Sequence, residues 1–361
     1  MSKPTTPHHP LILGIESSCD DTACALVDGS GRVLASVVSS QLAHQPYGGV
    51  VPEIASREHL KNWPAVSREA LRLAGVEIDA VDVVAATRGP GLVGSLLVGL
   101  SVGRAIAFGL DLPFYGMHHL EGHLYSPFLE PDGQPSTAIP EHFEGLVVSG
   151  GHTSLLDVRG GAINSLVETR DDAMGEVFDK VGKRLGLAFP QGPKVDQLAE
   201  SGDPERFRLS VPKVKEELFF SYSGLKSQAL REIEQLERQG ELDSEEIRQG
   251  ATPPQPALDL LAGFRRATVD QIIDRLARHH ATRPIGTLAV SGGVAANRLL
   301  RRELSDWAAR NTIDLRLVPL TYSGDNAAMI AFAALEQQRR GVAGNLHDVE
   351  VASRIPFRSV S

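Results

Sequence analysis

One pattern of hydrophobic runs occurs twice along this chain, and no other feature constrains its fold as strongly. The first copy opens with LILGIESSCDDTACALVDGSGRVLASVV, with apolar runs at Leu11 to Ile15, Ala23 to Val27 and Val33 to Val38. Short runs separated by Gly, Asp and Ser read as three strands joined by hairpins. Helical periodicity follows at about Val51 to Ala74 and Gly91 to Phe108, with a strand VDVVAAT between them. The second copy begins with FEGLVVSGGHTSLLDVRGGAINSLVET: strand, Gly-rich turn, strand, RGG turn, strand. Helical segments come next, then a strand at Thr287 to Val290 and a helix from Ala295. A unit of three strands followed by helices, written twice, predicts an internal duplication with two mixed α/β lobes. The cleft between such lobes is the default place for a ligand. The polar stretch ERQGELDSEEIRQGATPPQP, Glu237 to Pro256, reads as a surface insertion between helices, partly mobile and without chemistry of its own.

Composition excludes several classes. With 361 residues, 42% hydrophobic and 22% charged, the chain is an ordinary globular protein of about two domains. Cys19 and Cys24 are too few for a disulfide framework and lack metal-ligand spacing, which points to a reducing compartment such as the cytoplasm. Met1 to Pro10 has three prolines and no apolar core of a signal peptide, so it reads as a frayed terminus. Leu92 to Leu112 is apolar but carries Arg104 and Asp111, and reads as a buried core helix rather than a membrane span. A net charge of −9 argues against binding nucleic acid through phosphates alone. Any RNA contact needs a local patch, for which Lys180, Lys183 and Arg184 are candidates, or a partner's surface. The plain alternative for those cations is a solvated helix face.

Four motifs carry potential chemistry. Gly14-Ile15-Glu16-Ser17-Ser18-Cys19-Asp20-Asp21 runs a strand into a turn of small polar residues, able to offer amides and hydroxyls to a phosphate and carboxylates to a metal or water. Its plain reading is a polar hairpin. Val147-Val148-Ser149-Gly150-Gly151 ends a strand on paired glycines, which let a ligand approach the backbone. Ser291-Gly292-Gly293-Val294-Ala295-Ala296-Asn297 repeats the device ahead of a helix, whose N-terminus favours an anion. Either alone is a tight turn; the set, placed symmetrically, points to a nucleotide. In His118-His119-Leu120-Glu121-Gly122-His123, His119 and His123 stand one helical turn apart, as paired metal ligands must. Asp325, just before an apolar helix, is the best third ligand, against a reading as helix N-cap. Two imidazoles and a carboxylate suit iron(II), zinc or manganese. The spacing invites comparison with a metalloprotease helix. At about 100° per residue, however, Glu121 stands about 200° from His119 and points away from the face the histidines share.

Taken together, GIESSCDDT, YGGVVPEIASREH, GPGLVGSLLVG, HHLEGHLYSP, LVVSGGHT, DDAMGEVFDKVGKRLGL, SYSGLK, SGGVAANRLL and GDNAAMIA resemble the bacterial tRNA threonylcarbamoyl transferases called TsaD, of the sugar-kinase, heat-shock-protein and actin superfamily. The resemblance runs from Leu11 to about Pro356. It implies an actin-like two-lobe fold, with residues 11–138 and 321–356 in a metal-carrying N-terminal lobe and 139–320 in a C-terminal lobe with the nucleotide loops. It also implies one divalent metal, iron(II) ahead of zinc, on His119, His123 and Asp325. Nucleotide contacts are implied at Val147, Val148, Ser149, Gly150, Gly151, Asp179, Gly192, Asp196 and Asn297. Asp179 and Asp196 would accept from ribose hydroxyls, against a plain reading as capping or surface carboxylates. The implied reaction transfers threonylcarbamoyl from threonylcarbamoyl-adenylate to N6 of the adenosine 3′ of the anticodon, releasing AMP. Asp20 and Asp21 are the candidates for taking the N6 proton. A paralogous actin-like partner of the TsaB type and a small P-loop ATPase of the TsaE type are implied as well. Three departures stand out: Asp21 where many members have glutamate, Gln191 where a second glycine precedes Gly192-Pro193, and a longer stretch near Glu241 to Pro256. The rival classes are a zinc endopeptidase and an ATP-binding scaffold, because a fold does not fix a function.

Overall fold

A computed structural model describes residues 9–212, 218–347 and 349–356, which fall into two units. Among the described residues, the first takes those in 9–43, 50–139 and 318–356, and the second those in 44–49 and 140–317. The first unit runs β1 (Ile12–Glu16), β2 (Asp21–Val27), β3 (Val33–Ser40), α1 (Pro52–Ala74), β4 (Val83–Gly89), α2 (Val93–Leu110), β5 (Phe114–His118) and α3 (His119–Tyr125). Its sheet has the order β3-β2-β1-β4-β5, with β1 antiparallel to β2 and parallel to β4. Every residue of β1 is buried, which is why that strand reads as a continuous apolar run rather than an alternation.

The second unit runs β6 (His142–Val148), β7 (Thr153–Arg159), β8 (Ala162–Glu168), α4 (Met174–Arg184), α5 (Gly192–Ala199), α6 (Ser223–Gln239), α7 (Ser244–Arg248), α8 (Gln255–Thr282), β9 (Thr287–Ser291), α9 (Arg298–Asn311) and β10 (Asp314–Leu317). Its sheet order, β8-β7-β6-β9-β10, is that of the first unit, and β6 is again antiparallel to the next strand and parallel to β9. The duplication read from the hydrophobic runs is therefore a duplication of topology.

Four local expectations need correction. The helix after Ser291 begins at Arg298, not Ala295. Gly293–Ala296 form a 3₁₀ turn, and Asn297 caps α9 by accepting from the Leu300 amide at 2.9 Å, a task no residue of Val294–Ala296 can perform. The stretch 237–256 is packed rather than a loose insertion. It holds α7, capped by Asp243, and buries Leu242 and Ile247. The helix expected to be a buried core element, α2, buries one face only, through Leu96, Gly99, Leu100, Gly103 and Ala107, while Val93, Leu97 and Phe108 are exposed. Composition cannot separate these cases, because an apolar helix usually owes its apolarity to burial on all sides. The cations Lys180, Lys183 and Arg184 do not form a free patch. Lys180 pairs with Asp172 and Glu176, Arg184 with Glu237, and Lys183 donates to the Tyr47 carbonyl.

After β10 the chain returns to the first unit with α10 (Ala327–Arg339), whose residues from Ala327 to Leu335 are all buried. Two glycines admit it. A Cβ on Gly14 of β1 would stand 2.3 Å from the Ala327 carbonyl oxygen and 2.9 Å from Ala331 Cβ. A Cβ on Gly122 of α3 would meet Ile330 Cδ1 and Met329 Cγ at 3.0 Å. Backbone contact this close leaves no room for even a methyl group. Gly14→Ala should therefore cost about 1–3 kcal/mol of stability by overpacking, measured as a lower denaturant midpoint with unchanged slope. An unchanged midpoint would contradict this packing.

Candidate metal centre and nucleotide loops

In the first unit the polar residues collect where β1, β4 and β5 end. His118 closes β5 and caps α3: its Nδ1 accepts from the Leu120 amide at 3.2 Å, and its Nε2 donates to the Ile355 carbonyl at 3.0 Å. Both nitrogens are thus engaged on a neutral ring, and burial pushes its pKa down to about 4. His118 is therefore structural. The next residue starts α3, and the helix places His119 and His123 on one face, with ring centroids 4.8 Å apart, edge to face.

Asp325 joins them from the turn before α10. Asn326, not Asp325, caps that helix, accepting from the Met329 amide at 2.9 Å and donating to the Tyr322 and Gly324 carbonyls. The neighbouring carboxylate is left for the imidazoles. Asp325 Oδ1 lies 3.2 Å from His123 Nε2 and 3.5 Å from His119 Nε2. Ligand atoms around a tetrahedral ion with bonds of about 2.0–2.2 Å stand about 3.3–3.6 Å apart, so the spacing fits a single metal. His123 Nδ1 is buried without a hydrogen-bond partner among the described residues. Two imidazoles with one carboxylate suit iron(II), zinc or manganese. Glu121 is turned the other way, accepting from Gln337 Nε2 of α10 at 3.0 and 3.1 Å. No general base of the protease kind faces the histidines from that position.

The charges agree with a cation site. Burial would lower the His119 pKa, yet the Asp325 and Glu16 carboxylates hold it well above the ordinary imidazole range. Burial would raise Asp325, yet the His119 charge and bonds from both imidazoles hold it well below the usual carboxylate range. A metal entering here must displace the His119 proton, so uptake should strengthen as pH rises through neutrality.

Thr87 and His59 of this centre escaped the sequence reading, and Glu16 entered it only as one carboxylate of the polar turn after β1. Glu16 is fully buried at the end of β1 and touches His119, Ser18 and Thr87. Thr87 follows the apolar run Val83 to Ala86 within β4 and is buried. His59 of α1 braces the turn after β1: its Nε2 donates to the Cys19 carbonyl at 3.0 Å, so its Nδ1 accepts from the Thr22 hydroxyl at 2.8 Å. For Glu16 and Thr87 the available signal was a charged or polar residue following a buried apolar run. Of the two candidate proton acceptors, Asp21 begins β2, where its Oδ1 accepts from Ser40 Oγ. Burial pushes its carboxyl up to about 7, against the Ser40 bond and with the Asp325 charge adding. Asp20 precedes it in the turn, its carbonyl accepting from the Gln41 amide.

In the second unit, Val147 and Val148 are buried at the end of β6, and Ser149 opens the adjoining loop. The Ser149 hydroxyl accepts from the His152 amide at 3.1 Å. Among the described residues, and apart from their chain neighbours, nothing lies within 4 Å of where a Cβ would stand on Gly150 or Gly151. The Ser291-Gly292-Gly293 loop ends β9, the parallel neighbour of β6. Ligands of α/β sheets settle at such carboxyl ends. Asp179 accepts from the Gly192 amide at 2.8 Å, tying α4 to the start of α5. Asp196 accepts from Arg265 at 3.0 Å on one oxygen and from the Arg298 amide at 3.2 Å on the other. Both carboxylates thus carry helix-anchoring bonds. Gln191 is turned inward, its amide 3.5 Å from the Leu187 carbonyl. A second group with metal-ligand spacing, His142, Glu144 and Asp157, is an ion-pair network. Arg159 and Arg283 already neutralise Asp157, and His279 meets Glu144.

The family model described as tRNA N6-adenosine threonylcarbamoyltransferase matches residues 32–332. A protein of that description from Symbiobacterium thermophilum is 45% identical over 343 residues, 94% of this chain and 94% of its own length. Another, from a Picosynechococcus species, is 41% identical over 358 residues, 97% of this chain and 96% of its own. Among solved structures, HypF from T. kodakarensis covers 92% of this chain and 48% of that one, with a TM-score of 0.57 at 15% identity. At that identity the likeness concerns the fold alone, the actin-like arrangement of duplicated mixed sheets.

The donor set supplies a test independent of these likenesses. His119→Ala, His123→Ala and Asp325→Ala should each lose stoichiometric metal, measured by elemental analysis after dialysis, whereas Glu121→Gln should keep it. Retention by Asp325→Ala with loss by Glu121→Gln would overturn the assignment.

Proposed function

The chain belongs to the tRNA N6-adenosine threonylcarbamoyltransferase family, and on that premise we propose that it transfers threonylcarbamoyl from threonylcarbamoyl-adenylate to N6 of adenosine-37, in tRNAs reading codons that begin with A, releasing AMP. The observation that carries this reading is 45% identity across 94% of the chain. N6 attacks the carbamoyl carbon, an N–C bond forms, the C–O bond to phosphate breaks, and one N6 proton must leave. AMP is already a good leaving group, so the protein's work is positioning and charge stabilisation. The Val147 to Gly151 loop, Gly192 and Asn297 receive the adenylate, with Asp179 and Asp196 on its ribose side. When bound, a divalent ion on His119, His123 and Asp325, iron(II) ahead of zinc, supplies a Lewis acid for the donor's phosphate or carboxylate. Asp21 takes the N6 proton, because a carboxyl pushed up to about 7 can accept and release protons at working pH. Asp20, beside it on the same turn, is the alternative acceptor.

The endopeptidase reading loses its general base, because Glu121 is bonded to Gln337. The net charge of −9 leaves tRNA to be held with help from partners, a paralogue of the same fold and a small P-loop ATPase. The paralogue would cover the apolar side chains that α1 and α2 expose, Leu60, Val93 and Leu97 among them. A tRNA substrate and two free cysteines accord with the cytoplasm.

Reconstitution with the donor-making enzyme, both partners and unmodified tRNA tests the proposal, with modified adenosine read by mass spectrometry. Metal-dependent modification is expected; casein cleavage without tRNA modification would refute the proposal. Because Asp21 accepts a proton only when ionised, the transfer rate should climb with pH through about 7 and level off above it. Asp21→Asn should lose about 10²-fold in rate along with that rise. An unchanged pH profile would exclude Asp21 as the base.

A further inference from the structure

The Glu16 carboxylate is wholly buried, and each of its contacts has a fixed direction. A carboxylate only accepts hydrogen bonds. Its Oε1 takes the Ser18 amide at 2.5 Å, and its Oε2 takes the Thr87 hydroxyl at 2.5 Å. The same Oε2 lies 3.1 Å from His119 Nδ1, so that nitrogen must carry the hydrogen. With Nδ1 the donor, the lone pair of the neutral ring sits on Nε2, the atom that faces Asp325. His123 has no such partner among the described residues, its buried Nδ1 making no hydrogen bond there. Among the described residues, a carboxylate thus holds the far nitrogen of His119 but not that of His123.

We propose that Glu16, held in place by Thr87 and the Ser18 amide, is the positioning residue that fixes the tautomer and ring plane of His119 for metal binding. The proposal rests on the reading of His119, His123 and Asp325 as metal ligands. Partners of this kind typically tune affinity by about 10–100-fold. In Glu16→Gln, one amide N–H₂ must face the Ser18 N–H, the Thr87 hydroxyl or His119 Nδ1, so at least one bond is lost or the tautomer reverses. In Thr87→Val, the carboxylate loses its tether while His119 keeps its partner; Thr87→Ser restores the hydroxyl.

The test is zinc affinity of the full chain, by competition with a chromophoric chelator, together with long-range nitrogen–proton NMR of the zinc-loaded imidazoles. Folding of each variant is checked by circular dichroism. Glu16→Gln should weaken zinc binding about 10–100-fold, Thr87→Val should weaken it less, and Thr87→Ser should bind as wild type. The loaded wild type should show His119 protonated at Nδ1. If Glu16→Gln does not fold, Thr87→Val and the wild-type tautomer decide. Wild-type affinity in folded Glu16→Gln or Thr87→Val, or a loaded His119 protonated at Nε2, overturns the inference. If His123→Ala still loses zinc in that case, the metal reading stands. A wild type that binds no zinc, iron(II) or manganese overturns both.

Discussion

The metal centre depends on how closely α10 lies against β1 and α3. The three side chains proposed as its ligands stand at positions 119, 123 and 325, and the docking of α10 brings the third to the first two. Gly14 and Gly122 permit that approach from two sides, the first meeting Ala327 and Ala331 of α10 and the second Met329 and Ile330. A well-packed contact of this kind cannot slide, because interiors tolerate neither voids nor overlap. Asn326 completes the arrangement by taking the capping duty that would otherwise engage its neighbour.

Once assembled, the centre places two carboxylates, Glu16 and Asp325, on either side of a buried imidazole. Buried charges of one sign are costly unless a cation lies among them. In the metal-free protein the His119 proton fills that role, which is why its pKa lies high and that of Asp325 low. The same electrostatics that stabilise the proton would stabilise a divalent ion, so proton and metal compete for one position.

Much of this was legible in the sequence, and the reasons differ by element. Hairpins β1 to β3 and β6 to β8 were readable because their turns are marked by Gly, Asp and Ser between short apolar runs. The His119 and His123 pair was readable from helical spacing alone, as was the outward direction of Glu121. Strand order was not readable. Ile12 pairs with Val83 in parallel, a register set by packing of the intervening helix rather than by any local signal. The exposed face of α2 was hidden by its uniform apolarity. The part played by Glu16 and Thr87 was not legible because each follows a buried apolar run, where a polar residue is ordinary, and only their mutual contact gives them meaning. The anchoring bonds of Asp196 to Arg265 and Arg298 likewise lie 69 and 102 positions apart in sequence.

The most direct test of the account is anomalous scattering from crystals of the metal-loaded protein, recorded at the absorption edge of the added ion. The account predicts one strong peak within about 2.0–2.3 Å of His119 Nε2, His123 Nε2 and an Asp325 carboxylate oxygen. A loaded crystal with its peak elsewhere, or with Asp325 turned away from both histidines, would contradict it.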